Sequence, residues 1–241
     1  LRSGLITGST KSPTRIGYRR ARELAWLFYT KKVDTPVLNH SNDDCWRIAL
    51  AAGITSKRLG YGLPVHRDGS ARAAKLLAES GLKQNESYIS ILPGGTADEK
   101  IWKPSYFGEL AKEIYQEFEL RSVILGAGKR ECELARTIVE TAGSDVVINL
   151  VGKTTLAEMT TIIGNSILAV GNDSGPLHIA AAIPVTVVGI YGPTNPLAVG
   201  PVSQFDNVVE AGYGYKRKGR YSKDPHHEIN NIAVQEVFAK V

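Results

Sequence analysis

The stretch AVGNDSGPLHIAAAIPVTVVGIYGPTNP, residues 169–196, decides how the rest of the chain is read. An apolar run ends in a small polar loop, a short Ala-rich helix follows, and a second apolar run, VTVVGIYG, ends in another turn-rich loop. Runs that are apolar throughout, rather than at every second residue, describe strands covered on both faces, the signature of a parallel sheet. A helix N-cap needs one residue of the Asp or Ser type. This loop supplies Asp173, Ser174, Gly175 and His178 together. Capping accounts for Asp173 or Ser174, but not for the set.

The same alternation runs outward from this stretch. YISIL (88–92) reads as a buried strand, followed by the loop PGGTADEK and a helix near 104–119 with Phe107, Leu110, Ile114 and Phe118 on one face. SVILGAG is a second strand with a helix over 130–142, and DVVINLVG is a third. TTLAEMTTIIGN is a helix ended by Gly164-Asn165, ILAVGN a fourth strand, 176–182 a helix and VTVVGIYG a fifth strand. Right-handed crossovers predict an α/β fold with a Rossmann-like parallel sheet, helices on both faces and the order 3-2-1-4-5. That order makes the first and fourth strands neighbours at the switch point where such sheets bind ligands. The loops PGGTADEK and GNDSGPLH therefore converge on one site.

Residues 1–85 read differently. RRARELAWLFYTKKV, NDDCWRIALAAGI and SARAAKLLAESG carry helical patterns with hardly a clear strand, and GYGLPVHRDG reads as a connecting stretch. This segment is expected to be the latter part of an incomplete N-terminal α/β domain whose opening strands lie outside the chain. INNIAVQEVFAKV reads as a final amphipathic helix. The expected division is 1–85, 86–225 and 226–241, the last clasping the other two.

Composition narrows the class. The 241 residues are 43% apolar and 22% charged, and no run approaches the roughly 18 apolar residues of a membrane span. LRSGLITGST is no signal peptide. Cys45 and Cys132 form no CxxC pair, and five histidines are too sparse for a zinc set, so a reduced, cytoplasmic setting is expected. The net charge of +5 is unevenly spread. Arg2, Lys11, Arg15, Arg19, Arg20, Arg22, Lys31 and Lys32 face one acid, Glu23, in residues 1–32, and YKRKGRYSK (215–223) contains no acid. Such blocks fit a polyanionic partner, either a phosphorylated lipid, a nucleic acid or a nucleotide; a solvated face explains each block equally well.

The loops carry the chemistry. Backbone N–H groups of Ser174 and Gly175 at a helix N-terminus favour an anion, and Pro176 fits the first helical turn. Gly94 and Gly95 allow a tight turn, Thr96 offers a hydroxyl, and Lys100 offers a charge to a diphosphate. Glu131 follows the second strand, where dinucleotide folds place an acid for ribose hydroxyls; a first-turn acid favouring the helix dipole reads as well. Trp46 and Trp102 read as packing residues. VGKTT lacks the first Gly of a phosphate-binding P-loop, because that position is Val147, and GAGKRE lacks the third Gly of a dinucleotide fingerprint. No Asp-x-Asp pair is present, so no metal is expected. No motif interleaves aromatics with the basic blocks, so nucleic-acid binding is not expected.

PGGTADEKIWKPSYFGELAKEI, LVGKTTLAEM and GNDSGPLHIAAAIPVTVVGIYGPTNP closely resemble the ADP-heptose:lipopolysaccharide heptosyltransferases of glycosyltransferase family 9. The resemblance runs from about 88 to 200 and extends more weakly over LRSGLI, RIGYRRARELAWLFYTKKV and IALAAGI. It implies a GT-B fold, ADP-heptose as donor substrate, no cofactor and inverting transfer without a metal. By motif, Asp173, Ser174, Gly175 and His178 match the loop that contacts donor diphosphate and sugar. Gly95, Thr96 and Lys100 match the phosphate-facing loop, Glu131 the acid toward ribose, and Thr154 the nucleobase pocket. Lys100, Asp173 and His178 are the catalytic candidates. The family's general base, an Asp in a Gly-Asp-Val loop, has no counterpart here, and the tail lacks the cysteines of many relatives. Arg19, Arg20 and Arg22 fall where the family faces its acceptor, the anionic Kdo-bearing inner core of lipopolysaccharide, and imply attraction to the inner-membrane surface. A relative with another donor or acceptor, or a non-catalytic sugar-nucleotide-binding remnant, fits the same loops.

Overall fold

A computed structural model gives the protein's structure at residues 1–36, 39–55, 63, 70–183, 185–215, 217 and 219–241. The connecting stretch expected at 60–69 lies outside these residues apart from Leu63, as do Lys216 and Lys218 of the tail cluster. The chain divides into two compact units, Leu1–Gly60 with Leu197–Val199, and Tyr61–Pro196 with Gly200–Val241.

The first unit holds α1 (Arg2–Ser9), β1 (Ile16–Tyr18), β2 (Lys31–Val33) and α2 (Ser41–Ala51). The helix expected over RRARELAWLFYTKKV does not form. Glu23 and Leu24 adopt φ of 55° and 58°, and two consecutive left-handed residues stop a right-handed helix from propagating. What remains is a 3-10 turn at Ala25–Phe28 followed by β2. β1 and β2 pair in parallel from Ile16↔Lys31 to Tyr18↔Val33, strands that the charged sequence concealed. α1 packs on the turn through Gly4, where an added Cβ would lie 2.8 Å from Ala25 Cα.

The second unit contains α3 (Ser70–Glu79), β3 (Tyr88–Leu92), α4 (Pro104–Phe118), β4 (Arg121–Ile124), α5 (Lys129–Ala142), β5 (Val147–Asn149), α6 (Leu156–Asn165), β6 (Leu168–Asn172), α7 (Gly175–Ala182) and β7 (Thr186–Tyr191). After the short α8 (Pro196–Val199) come β8 (Val208–Glu210) and α9 (Val234–Phe238). The sheet order is β5-β4-β3-β6-β7-β8, parallel throughout. This is the expected 3-2-1-4-5 order with a sixth strand added at the β7 edge. α6 ends at Gly164-Asn165, the expected stop, and is capped by Ser166, whose hydroxyl donates to the Ile163 carbonyl at 2.7 Å.

The helices fall into two packing groups, α4 with α5 and α9, and α6 with α3 and α7. Ile89, Ile91, Phe107, Leu110, Ile114, Val170, Val188 and Ile190 form the buried core with Trp102. Trp102 is a packing residue, as expected; its indole N–H donates to the Ile232 carbonyl at 3.0 Å. The expected C-terminal helix is broken into a 3-10 turn at Ile229–Asn231 and the short α9, with Ile229, Ile232, Val234 and Val237 buried in the core. At the sheet's centre an added Cβ on Gly171 would lie 2.6 Å from the Leu92 carbonyl oxygen. Glycine there permits the close approach of β6 to the end of β3, which sets their following loops side by side.

Candidate active site

The loops after β3 and β6 are joined by one buried amide. Asn172 Nδ2 donates to the Pro93 carbonyl at 2.7 Å, and Asn172 Oδ1 accepts from the Trp102 N–H at 3.2 Å. Both ends of the loop 93–102 are thereby tied to the last residue of β6. Beyond the carboxyl ends of the strands lies a cavity of about 490 Å³. Its walls are Gly94, Gly95 and Thr96 after β3; Leu125, Gly126, Ala127 and Glu131 after β4; Thr154, Thr155, Leu156 and Met159 at the start of α6; and Ser174, Gly175 and Pro176 at the start of α7. Six of the nine donor-site candidates, Gly95, Thr96, Glu131, Thr154, Ser174 and Gly175, thus border one space, and Lys100, Asp173 and His178 are not among its lining residues.

Glycines make room for the acid. A Cβ on Gly94 would lie 2.9 Å from Glu131 Oε1, and one on Gly126 would lie 3.1 Å from Glu131 Cγ. At the opposite wall Thr154 immediately precedes a capping box. Thr155 Oγ1 accepts the Glu158 N–H at 3.3 Å, and Glu158 Oε2 accepts the Thr155 N–H at 2.7 Å. Arg72 Nε reaches the second Glu158 oxygen at 2.7 Å. The Thr155 N–H is the main influence holding the Glu158 carboxyl below its ordinary pKa, against burial. The Thr-x-x-Glu spacing was visible in the sequence, whereas the Arg72 partner was not.

Ser174 occupies the N-cap of α7, yet its side chain caps nothing. Its hydroxyl is buried and finds no hydrogen-bond partner among the described residues. Beside it, a Cβ added to Gly175 would meet nothing within 4 Å. Neither packing nor backbone conformation requires glycine there. An unpartnered hydroxyl, free helix N–H groups and an open space in front of them suit a ligand's anion.

Asp173 lies next to this wall, buried to 7% exposure. Its Oδ2 meets Lys100 Nζ at 2.7 Å and its Oδ1 meets His178 Nε2 at 3.3 Å. Burial, the largest single influence, pushes the carboxyl pKa up. Hydrogen bonds from His178 and Lys100 and the Lys100 charge together outweigh it and hold Asp173 below the ordinary value. The three catalytic candidates therefore form one cluster around an ionised carboxylate. Lys100 ends a 3-10 turn, Asp98–Lys100, whose other residues are also held: Asp98 pairs with Arg130, and Glu99 Oε1 accepts from Tyr221 Oη at 2.9 Å. Thr194 and Tyr221 carried no signal in the sequence.

The tail cluster does not serve a polyanion as a whole. Arg217 is buried, its side chain only 5% exposed. It donates to the carbonyls of Gly192 (2.6 Å), Thr194 (3.3 Å) and Ala211 (2.8 Å), and its Nε meets Glu210 Oε2 at 3.2 Å. Its charge and donors are spent inside the fold, fastening the tail to the loop after β7.

The chain matches the profile described as glycosyltransferase family 9 (heptosyltransferase) over residues 1–227. The chain belongs to glycosyltransferase family 9. Among family 9 relatives, the lipopolysaccharide core heptosyltransferase OpsX of Haemophilus influenzae is 27% identical over 210 residues, covering 86% of this chain and 59% of its own length. Lipopolysaccharide heptosyltransferase 2 of Salmonella typhimurium is 28% identical over an alignment of 250 positions, covering all of this chain and 71% of its own length. The chain thus spans 59% and 71% of the length of these two relatives. Two solved structures share the fold. The family 9 glycosyltransferase of Veillonella parvula superposes with a TM-score of 0.76 at 21% identity, covering 99% of this chain and 69% of that one. The E. coli ADP-heptose lipopolysaccharide heptosyltransferase II gives 0.73 at 23%, covering 99% and 72%.

The other family 9 site candidates sit in the first unit. Arg19, Arg20 and Arg22 follow β1 and are all exposed. Arg19 Nε meets Asp34 Oδ1 at 2.7 Å. Among the described residues no group of three His, Cys, Asp or Glu side chains is arranged to hold a metal, and no helix is long and apolar enough to cross a membrane.

Proposed function

We propose that this chain carries the donor site of a heptosyltransferase that moves heptose from ADP-heptose to the phosphorylated inner core of lipopolysaccharide, inverting the anomeric centre without a metal. The observation that carries the reading is the α7 wall. A buried Ser174 hydroxyl without a partner among the described residues and a Gly175 that borders open space line one cavity with Glu131 and Thr154. Family membership supplies the reaction class, and relatives named as heptosyltransferases supply the sugar and acceptor. An E. coli heptosyltransferase, 22% identical, is described with ADP.

In this reading the base lies against Thr154, Leu156 and Met159, and the ribose hydroxyls bond to Glu131. The diphosphate rests on Gly95, Thr96, the Ser174 hydroxyl and the N–H groups opening α7, where the helix dipole favours it. The sugar points toward Asp173 and His178. Attack by the acceptor hydroxyl breaks the bond from the anomeric carbon to the diphosphate, and negative charge gathers on departing ADP. Lys100 and the α7 N-terminus are placed to stabilise that charge. The acceptor proton passes to a base, as such transfers require; no residue of this chain is assigned that part. Arg19, Arg20 and Arg22 attract the anionic acceptor, and the same charges draw the enzyme to the cytoplasmic face of the inner membrane.

Calorimetric titration with ADP and with UDP in EDTA tests the donor reading. ADP is expected to bind and UDP to bind at least about tenfold more weakly, a difference of about 1.4 kcal/mol. Failure to bind either nucleotide overturns the donor site, and a preference for UDP overturns ADP-heptose as donor.

A further inference from the structure

The loops after β3, β6 and β7 lie side by side because those strands are consecutive in the sheet. Asp173 belongs to the middle loop, Lys100 to the first and Thr194 to the third. The tail residues 219–222 run along the third loop. Asn195 N–H donates to the Arg220 carbonyl at 3.0 Å, and Ser222 N–H donates to the Pro193 carbonyl at 2.8 Å. These two bonds pair Tyr221 antiparallel with Thr194 as a single bridge, and Asn195 Nδ2 adds a bond to the Gly219 carbonyl at 3.1 Å. From that anchor Tyr221 Oη reaches Glu99, the residue before Lys100, at 2.9 Å. The β3 and β7 loops lie two strands apart in the sheet, and this side chain with its hydrogen bond links them.

We propose that Tyr221 is a positioning residue of the donor site: a latch whose backbone neighbours Arg220 and Ser222 are fastened to Asn195 and Pro193 on either side of Thr194, and whose hydroxyl, through Glu99, holds Lys100 against Asp173. The proposal rests on the donor reading only for its effect on binding; the geometry it describes exists without a ligand. The partners respond as a hydrogen-bonded pair should. The Glu99 carboxyl is held below its ordinary pKa by its own backbone N–H first and by Tyr221 second. The Tyr221 hydroxyl is raised by burial first and then by Glu99. Both side chains are largely exposed, so removing the bond leaves the core untouched. A second cavity of about 290 Å³ lies against the latch, lined by Glu99 and Tyr221 with Pro193, Asp224 and His227 among its other residues.

The test uses the full chain and the variants Tyr221→Phe, Glu99→Ala, Glu99→Gln and the double Tyr221→Phe/Glu99→Ala. Titrated with ADP, Tyr221→Phe and Glu99→Ala are each expected to bind about three- to tenfold more weakly, the weight of one hydrogen bond to a charged acceptor at an exposed site. The double variant is expected to lose no more than the weaker single, because one bond is removed in all three. Glu99→Gln, whose amide oxygen still accepts from Tyr221, recovers most of what Glu99→Ala loses. Melting temperatures stay unchanged. Additive losses, or Tyr221→Phe at parental affinity, overturn the latch. An independent reading comes from the ligand-free chain by carbon-13 NMR of Asp173, which faces Lys100, His178, Thr194 and Tyr191. In Tyr221→Phe its titration is expected to move upward as Lys100 slackens; an unmoved titration overturns the latch. If the parent chain fails to bind ADP, the donor reading falls, and the NMR titration still decides the latch.

Discussion

Replacing Lys100 by methionine keeps the stem of the side chain and removes the ammonium that faces Asp173 at 2.7 Å. The carboxylate is 7% exposed and would be left with His178 at 3.3 Å. Removing one member of a buried ion pair costs about 3–5 kcal/mol. The Lys100 side chain is 20% exposed, so solvent already screens part of the pair, and the lower end, about 3 kcal/mol, is expected at neutral pH. In a chain of this length that is a fall of about 6–12 °C in melting temperature. The pH dependence gives the sharper test. In the parent, Asp173 lies below its ordinary pKa, so its contribution is complete above about pH 4 and is lost as pH falls through the lower folded value. In Lys100→Met burial dominates and the folded pKa rises above the unfolded one, so stability is regained as pH falls through that raised value. The penalty is therefore largest at neutral pH and shrinks toward about pH 4.5. Circular dichroism melts of parent, Lys100→Met, Asp173→Asn and the double variant measure it. A penalty equal at both pH values, or additive with Asp173→Asn, would refute the coupled buried pair.

Ser174→Ala separates folding from binding. The hydroxyl has no partner among the described residues, so chemical denaturation should show stability unchanged or raised by up to about 1 kcal/mol, while calorimetry shows ADP affinity down about tenfold. Gly171→Ala forces a Cβ to 2.6 Å from the Leu92 carbonyl and is expected to cost about 3 kcal/mol in urea denaturation, because backbone must shift to relieve it. Arg217→Met leaves the carbonyls of Gly192, Thr194 and Ala211 without their buried donor. It should lower stability by about 3 kcal/mol while binding to anionic vesicles stays at the parental level, the reverse of what a surface phosphate-binding arginine would show.

The sheet was legible because YISIL, SVILGAG, ILAVGN and VTVVGIYG are apolar at consecutive positions, and burial on both faces leaves that mark. β1, β2 and β8 were not, since three-residue strands such as Lys31–Val33 carry no apolar run and owe their existence to pairing. The helical pattern of 19–33 was real as a pattern; the left-handed Glu23 and Leu24 overrode it. At the site, Glu131 was legible from its place after a strand, because topology carries such residues to the strand ends where these sheets bind ligands; Thr154 was marked only by the resemblance of LVGKTTLAEM to family 9. Arg217 was misread because a basic cluster looks solvated until the carbonyls that claim its guanidinium are seen. Tyr221 left no trace, since its partners, Thr194 and Glu99, are 27 and 122 positions away and no local pattern links them.

Asn172 has a kinetic consequence. One amide, fully buried, fastens both ends of the arch from Pro93 to Trp102. An arch tied at both feet to a central strand is unsuited to act as a lid, because opening it would break buried hydrogen bonds to the interior of the sheet. A nucleotide entering the cavity would then meet a wall already in its final shape. Its association should follow one exponential whose rate rises in proportion to nucleotide concentration without levelling off, as encounter with a standing surface requires. Slow, saturating steps in a family 9 reaction would then originate away from this arch.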